Sequence, residues 1–104
     1  MPQIDLSDLV QGKAKILAGH RRGLAARDHY ELEVLESAGG RIVVRAPDGL
    51  EAISPSFVQG FLGSTAQKRS KNEVEKLFDF NSLPIVLRED FEIGLDRLYL
   101  RQRN

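Results

Sequence analysis

Residues 41–63, RIVVRAPDGLEAISPSFVQGFLG, contain the sharpest change from strand to helix in the chain. The β-branched run 41–46 predicts a strand, and the tripeptide Pro-Asp-Gly at 47–49 is a strong turn signal directly after it. Ser54 is a good helix N-cap, and Pro55 suits the first helical position because an N–H there would have no partner. This segment therefore predicts a strand, a turn and a capped helix.

The predicted helix carries an apolar stripe at helical spacing. Its members are Phe57, Val58, Phe61 and Leu62. Gly60 and Gly63 each lower the helix propensity by about 1 kcal/mol, but glycines let a helix approach its sheet closely. Residues 50–53 lead from the turn into the helix, and the polar run 67–72 after it predicts a solvated loop.

The outer parts of the chain follow weaker patterns. Short strands are predicted from Ile4 to Val10, from Ala14 to Ala18 with a connection near Gln11-Gly12, and from Leu77 to Phe80. Leu87, Phe91, Leu95 and Leu98 keep a spacing of about four residues, which predicts a closing helix over residues 85–101. Acidic residues lie early in this helix and arginines lie late, so its charges complement the helix dipole.

Residues 21–37 fit two structures. Ala26, Tyr30 and Val34 recur every four residues and would share one face of a helix. We favour this helical interpretation. The segment 30–34 also alternates like a half-buried strand, and with the glycines at 39 and 40 it would form a hairpin with residues 41–46. The first choice gives a parallel sheet and the second an antiparallel one.

With the helical choice, strands and helices alternate along the chain. Such alternation is typical of an α/β layer with right-handed crossovers. We therefore predict a single domain over residues 1–104, in which a small, mostly parallel sheet of about four strands is flanked by helices.

Composition excludes several classes of protein. Apolar residues make up 41% of the 104 residues, and no apolar run approaches the roughly 20 residues that span a bilayer. Cysteine is absent, so disulfides and thiolate metal sites are excluded. The N-terminus lacks the pattern of a secretory signal, and a cytoplasmic location is expected. Basic and acidic residues number 15 each, which disfavours nucleic acid as a partner and leaves little repulsion against homo-oligomers.

Catalytic and cofactor motifs are not evident either. Gly19 to Gly23 lacks the spacing and the lysine of a phosphate-binding loop. No Gly-x-Ser-x-Gly elbow occurs, and neither His20 nor His29 has metal-ligand spacing. We therefore expect a protein that is not an enzyme and that uses no cofactor or metal.

Two stretches resemble a known family. Residues 54–63, SPSFVQGFLG, look like the second-helix start of STAS-like domains, small bacterial relatives of the anti-sigma-factor antagonists, and residues 19–27, GHRRGLAAR, look like the start of their first helix. The likeness covers roughly residues 3–80. It implies a sheet flanked by helices, no cofactor and a protein-binding role in a regulatory switch.

The resemblance also implies a site of modification. In antagonists of this kind a partner kinase phosphorylates a serine at the start of the second helix, and Ser56 falls at that position. Ser54 stands where the family has an acidic residue, and Pro55 where it has the first serine. The partner class that this implies is an ATP-binding, kinase-like regulator.

The predicted contact surface consists of the loop 47–56 and the exposed face of the helix 55–67. Its candidate partner-binding or modification residues are Ser54, Ser56, Phe57 and Gln59. Candidate anion contacts are Arg21, Arg22 and Arg27, because guanidinium groups bind phosphate and carboxylate well.

Two other classes of function stay open from the sequence. A small nucleic-acid-associated protein would use the basic clusters at 20–27 and 68–71, although no aromatic residues interleave with them as such a surface requires. An enzyme would need a deep pocket with several polar groups of perturbed titration.

Overall fold

The β-branched run 41–46 forms the central strand of a parallel sheet. A computed structural model describes residues 2–10 and 15–102. The strands of this part are β1 Gln3–Asp5, β2 Ile16–Leu17, β3 Ile42–Arg45, β4 Ala52–Ile53 and β5 Phe78–Asp79. The helices are α1 His20–His29, α2 Leu32–Ser37, α3 Pro55–Lys68, α4 Lys71–Leu77 and α5 Ile85–Gln102, with a 3₁₀ turn at Leu6–Leu9.

The strands divide into two groups, and every pairing among the described residues is parallel. One sheet has the order β1-β3-β5, with Ile4 opposite Val44 and Val43 opposite Asp79. The other is the pair β2-β4, with Leu17 opposite Ile53. The α/β class and the parallel arrangement are therefore confirmed, while the strands form a group of three and a group of two.

Helix α3 lies at the centre of the helical layer. It packs most extensively against α1 on one side and α5 on the other. Its residues Phe57, Val58, Phe61 and Leu62 are all fully buried, as the predicted apolar stripe requires. Burial of such side chains stabilises a fold by about 1.5–3 kcal/mol each, so α3 supplies a large share of the core.

The helical interpretation of residues 21–37 is confirmed, and the hairpin alternative is wrong. The segment forms two helices instead of one, because Glu31 adopts the left-handed conformation with φ 52° and ψ 50°. A single left-handed residue ends an α-helix and redirects the chain. Helix α2 therefore starts in a new direction at Leu32.

The first and second predicted strands are shorter than expected. Asp5 caps the 3₁₀ turn by accepting the N–H of Ser7 at 2.9 Å, so β1 ends there instead of at Val10. Strand β2 consists of Ile16 and Leu17 alone. The proposed connection at Gln11-Gly12 and the start at Ala14 lie outside the described residues.

The polar run 67–72 is not the loop that was predicted. Ser70 accepts the N–H of Glu73 at 3.2 Å, and the Glu73 carboxylate accepts the N–H of Ser70 at 2.8 Å. This reciprocal pair is a capping box, which begins a helix. The run therefore contains the end of α3 and the start of α4.

Helix α5 closes the domain against α3 and β4. Gly94 lies against Val58, where a β-carbon would collide with the valine side chain. The Asp90 carboxylate accepts the backbone N–H of Ile53 at 2.9 Å, so a side chain takes the hydrogen bond that a further strand would otherwise make. In the part of the chain that the structure describes, no helix has the length and hydropathy needed to cross a membrane.

Candidate functional site

Ser54 and Ser56 lie at the start of α3, as the sequence predicts. The Ser54 side chain accepts the backbone N–H of Phe57 at 3.1 Å and so caps the helix. The same oxygen accepts the N–H of Gly19 at 3.3 Å and lies 3.1 Å from the Ser56 hydroxyl oxygen. One hydroxyl group therefore joins the starts of α1 and α3.

The pairing of β2 with β4 explains why these helix starts meet. The strands run in the same direction, and the N–H of Ser54 donates to the carbonyl of Leu17 at 2.8 Å. Each strand is followed at once by a helix, so α1 and α3 both begin at the carboxyl edge of this pair. Ligands of parallel α/β sheets bind at such edges.

Ser56 is exposed, whereas Phe57 is fully buried. The Phe57 ring stacks on Phe61 with a centroid distance of 5.6 Å. The prediction that Phe57 contacts a partner is therefore wrong, because its side chain belongs to the core. Gln59 is half-buried.

The contact face predicted along residues 55–67 is much smaller than expected. The reason is that α1 and α5 cover α3 from two sides. Among residues 55–67 only Ser56 and Gln67 are exposed, with Pro55, Gln59, Gly63 and Ser64 half-buried. The accessible part of the predicted surface is therefore the loop before α3 and the first turn of the helix.

The three candidate anion contacts are in different surroundings. Arg21 and Arg22 are exposed on α1, but Arg27 is only 5% exposed. Its guanidinium donates to the carbonyl of Phe61 at 2.9 Å and to the Thr65 hydroxyl at 2.8 Å. The prediction that Arg27 contacts an external anion is wrong, because its donors are already used inside the protein.

The carboxylate that neutralises Arg27 comes from α2. Glu36 is 6% exposed and lies 3.1 Å from the Arg27 guanidinium. Thr65 donates its hydroxyl hydrogen to Glu36 at 2.6 Å, and Arg69 lies 3.3 Å from the same carboxylate. This buried network, which the sequence analysis missed, ties α1, α2 and α3 together. The sequence does not indicate this network, because Thr65 on α3 is 38 residues from Arg27 and 29 residues from Glu36.

Arg22 lines a cleft of about 620 Å³ beside α1. Its apolar lining comes from Leu9, Leu17, Ala25, Ala26 and Phe57, and its polar groups are Asp8, Arg22 and His29. Arg22 and His29 are seven residues apart and therefore share one face of α1.

The second basic cluster is paired with carboxylates. Lys68 lies 3.8 Å from Glu33, Arg69 is bound to Glu36, and Lys71 lies 2.6 Å from Asp96. The hydrogen bond to Asp96 raises the pKa of Lys71 above its usual value. A nucleic-acid surface gains its affinity from cations that phosphates neutralise, and these three cations already have partners.

The described residues contain no group of three or more side chains that would hold a metal ion. They do contain an exposed serine, Ser56, whose hydroxyl lies beside the helix cap. Comparison of the chain with family models, curated proteins and solved structures finds no match.

Proposed function

We propose that this chain is a non-catalytic regulatory domain that binds another protein through the surface around Ser56. The observation that carries the proposal is the position of the Ser56 hydroxyl. It is exposed and lies 3.1 Å from the Ser54 oxygen that joins α1 to α3. A change at Ser56 therefore reaches the junction of two helices as well as the surface.

The position of Ser56 at the start of α3 would favour a phosphate group on its hydroxyl. A phosphate on Ser56 adds close to two negative charges, and negative charge near a helix N-terminus is favourable because the first N–H groups point toward it. The phosphate would compete with the Ser54 oxygen as an acceptor for the N–H groups at the start of α3, and the helix would stay folded. The surface around Ser56 would thus become negatively charged, while the core stays intact.

The partner is proposed to be an ATP-binding, kinase-like regulator, and the resemblance of residues 54–63 to STAS-like domains supports this class. The accessible loop 47–56 and the first turn of α3 would form the contact. Arg21 and Arg22, exposed near the start of α1, would meet acidic groups of that partner.

The test compares three variants in affinity purification from the cytoplasm of the native cell. Ser56→Asp imitates the modified state, Ser56→Ala the unmodified state, and Ser82→Asp places the same charge at an exposed serine in the loop before α5. We expect Ser56→Asp to lose a specific partner at least tenfold, while the other two variants retain it.

Circular dichroism of each variant checks that the fold is intact. The purified partner should then transfer phosphate from ATP to the wild-type chain and not to Ser56→Ala. Equal recovery of every bound protein with Ser56→Asp and with Ser82→Asp would contradict the proposal.

A further inference from the structure

The outer face of α5 carries a row of exposed apolar side chains. Of the seven large hydrophobic residues that are exposed in the described part of the chain, four belong to this helix. They are Ile85, Val86, Ile93 and Leu100. Three of them, at 86, 93 and 100, are spaced by seven residues and therefore lie in line along the helix.

This row is separate from the face that holds α5 in the fold. Leu87, Phe91 and Leu95 point inward and are almost fully buried. Val86, Ile93 and Leu100 are 55%, 45% and 61% exposed in the monomer. Exposed apolar side chains that combine into one patch form contacts with other proteins.

The charges beside the row are arranged symmetrically about Ile93. Glu89 lies four residues before it and Arg97 four residues after it, and both side chains are exposed. At a rise of 1.5 Å per residue, each is about 6 Å from the level of Ile93 along the axis. The apolar residues Val86 and Leu100 are likewise equidistant from Ile93, seven residues on either side.

We propose that α5 packs antiparallel against α5 of a second copy of this chain, across a two-fold axis at Ile93. In that arrangement Ile93 meets the partner's Ile93, and Val86 lies level with the partner's Leu100. Glu89 lies level with the partner's Arg97, so opposite charges face each other across the row. A parallel pair would instead place Glu89 beside the partner's Glu89, which is unfavourable.

The acidic residues next to the row do not oppose this pairing. Asp90 accepts the N–H of Ile53, and Asp96 lies 2.6 Å from the Lys71 ammonium group. Both carboxylates are therefore already stabilised inside each monomer. The zero net charge of the chain also leaves little overall repulsion between two copies.

The size of the contact sets the expected affinity. A helix of 18 residues is about 27 Å long, and one such helix face offers less than the roughly 800 Å² per partner of a stable interface. We therefore expect a reversible dimer with a dissociation constant on the order of 100 µM.

Sedimentation equilibrium of the full chain from about 10 µM to 1 mM tests the dimer. The expected result is a monomer at the low end and a dimer at the high end. Ile93→Glu places two carboxylates on the axis and should weaken the association at least tenfold. Val34→Glu is the matched control, because Val34 is an apolar residue of α2 that is 64% exposed, and it should leave the dimer unchanged.

Cysteine cross-linking tests the direction of the helices, since the chain has no cysteine of its own. Under mild oxidation Ile93→Cys should form a disulfide-linked dimer. Val86→Cys alone should not, because the two copies of residue 86 would be about 21 Å apart along the axis. A mixture of Val86→Cys and Leu100→Cys chains should form the mixed dimer.

Three results would overturn the proposal. One is a wild-type chain that stays monomeric at 1 mM, as expected if this face binds a different protein. Another is a dimer that survives Ile93→Glu. The last is efficient self-cross-linking of Val86→Cys, which would require parallel helices.

Discussion

Gly23 of α1 and Gly60 of α3 bring the backbones of two helices into direct contact. A β-carbon on Gly23 would collide with the carbonyl oxygen of Phe57 and would lie 2.7 Å from the backbone nitrogen of Phe61. A β-carbon on Gly60 would collide with the carbonyl oxygen of His20. In both cases the atoms that the added β-carbon would meet belong to the backbone of the other helix, which cannot move aside as a flexible side chain can.

Replacing either glycine by alanine should therefore destabilise the protein. We expect Gly23→Ala and Gly60→Ala each to lower the free energy of unfolding by about 3 kcal/mol, because the helices must separate. Gly63→Ala is the control on the same helix, since a β-carbon there meets nothing within 4 Å. It should raise the free energy of unfolding by up to about 1 kcal/mol through helix propensity. Urea unfolding followed by circular dichroism measures all three, and equal values at positions 23 and 63 would refute the close approach.

The buried pair Arg27 and Glu36 gives a second prediction. Arg27→Met leaves the Glu36 carboxylate buried without its main partner and should cost about 3–5 kcal/mol of unfolding free energy. Adding Glu36→Leu should recover part of that loss, because no unpaired charge then remains buried. A double-mutant cycle in urea measures the coupling. Glu33→Gln is the control, since Glu33 is exposed and 3.5 Å from Arg27, and surface pairs contribute about 0–1 kcal/mol.

Strictly additive effects of Arg27→Met and Glu36→Leu would contradict the network. So would a Glu33→Gln variant as unstable as Arg27→Met, because the structure assigns the buried charge compensation to Glu36.

The third prediction concerns stability at high pH. Burial, with the carboxylates of Asp8 and Asp5 adding to it, raises the pKa of Tyr30 well above its usual value of 10.0. The folded chain then keeps Tyr30 neutral where the unfolded chain ionises it. The contribution of this group to stability is therefore fully present below about pH 10 and is lost as the pH rises beyond that value.

Thermal melts between pH 8 and pH 11.5 measure this effect. The melting temperature of the wild type should fall more steeply above pH 10 than that of Tyr30→Phe. The variant should be less stable at neutral pH by about 1 kcal/mol, because the Tyr30 hydroxyl donates to the Asp5 carbonyl at 2.6 Å. The chain has no tryptophan and two tyrosines, so tyrosinate absorbance follows the ionisation directly. Parallel pH profiles for the two proteins would refute the prediction.

The fourth prediction separates the roles of the two serines. Ser54→Ala removes the cap of α3 and should cost about 1–2 kcal/mol of unfolding free energy. Ser56→Ala should change it by less than about 0.5 kcal/mol, because Ser56 is exposed and the cap of α3 is the hydrogen bond from Phe57 to Ser54, which Ser56 only adjoins. Equal losses at the two positions would mean that Ser56 is structural, and the proposed contact surface would then lose its basis.

Much of the fold follows from local patterns in the sequence. Pro55 directly after a serine fixed the start of α3, and the spacing of Leu87, Phe91 and Leu95 indicated α5, because such signals depend only on near neighbours. The start of α4 was also readable, since Ser70 and Glu73 have capping-box spacing. The basic residues around this start favour a solvated loop, and that signal conflicts with the capping box.

The predictions that the structure contradicts concern residues whose partners are distant in the sequence. The buried Arg27 is bonded to Glu36 and Thr65, which lie 9 and 38 residues further along the chain. The hydrogen bond from the N–H of Ile53 to Asp90, at the open side of β4, likewise joins positions that no local pattern connects. Ser54 and Ser56 do lie at the start of α3, but the face predicted along residues 55–67 is smaller than expected, because the sequence does not reveal that α3 is covered on two sides.

The left-handed residue Glu31 decides whether the ion pair beneath the helices exists at all. In an uninterrupted helix, residues 27 and 36 would be about 13 Å apart along the axis and on opposite sides. The break at Glu31 instead brings the Glu36 carboxylate, nine residues after Arg27, to 3.1 Å from the guanidinium that it neutralises. The electrostatic balance of the interior therefore depends on the backbone torsion at Glu31, and a proline at that position, which excludes positive φ, would separate Arg27 from its buried counterion Glu36.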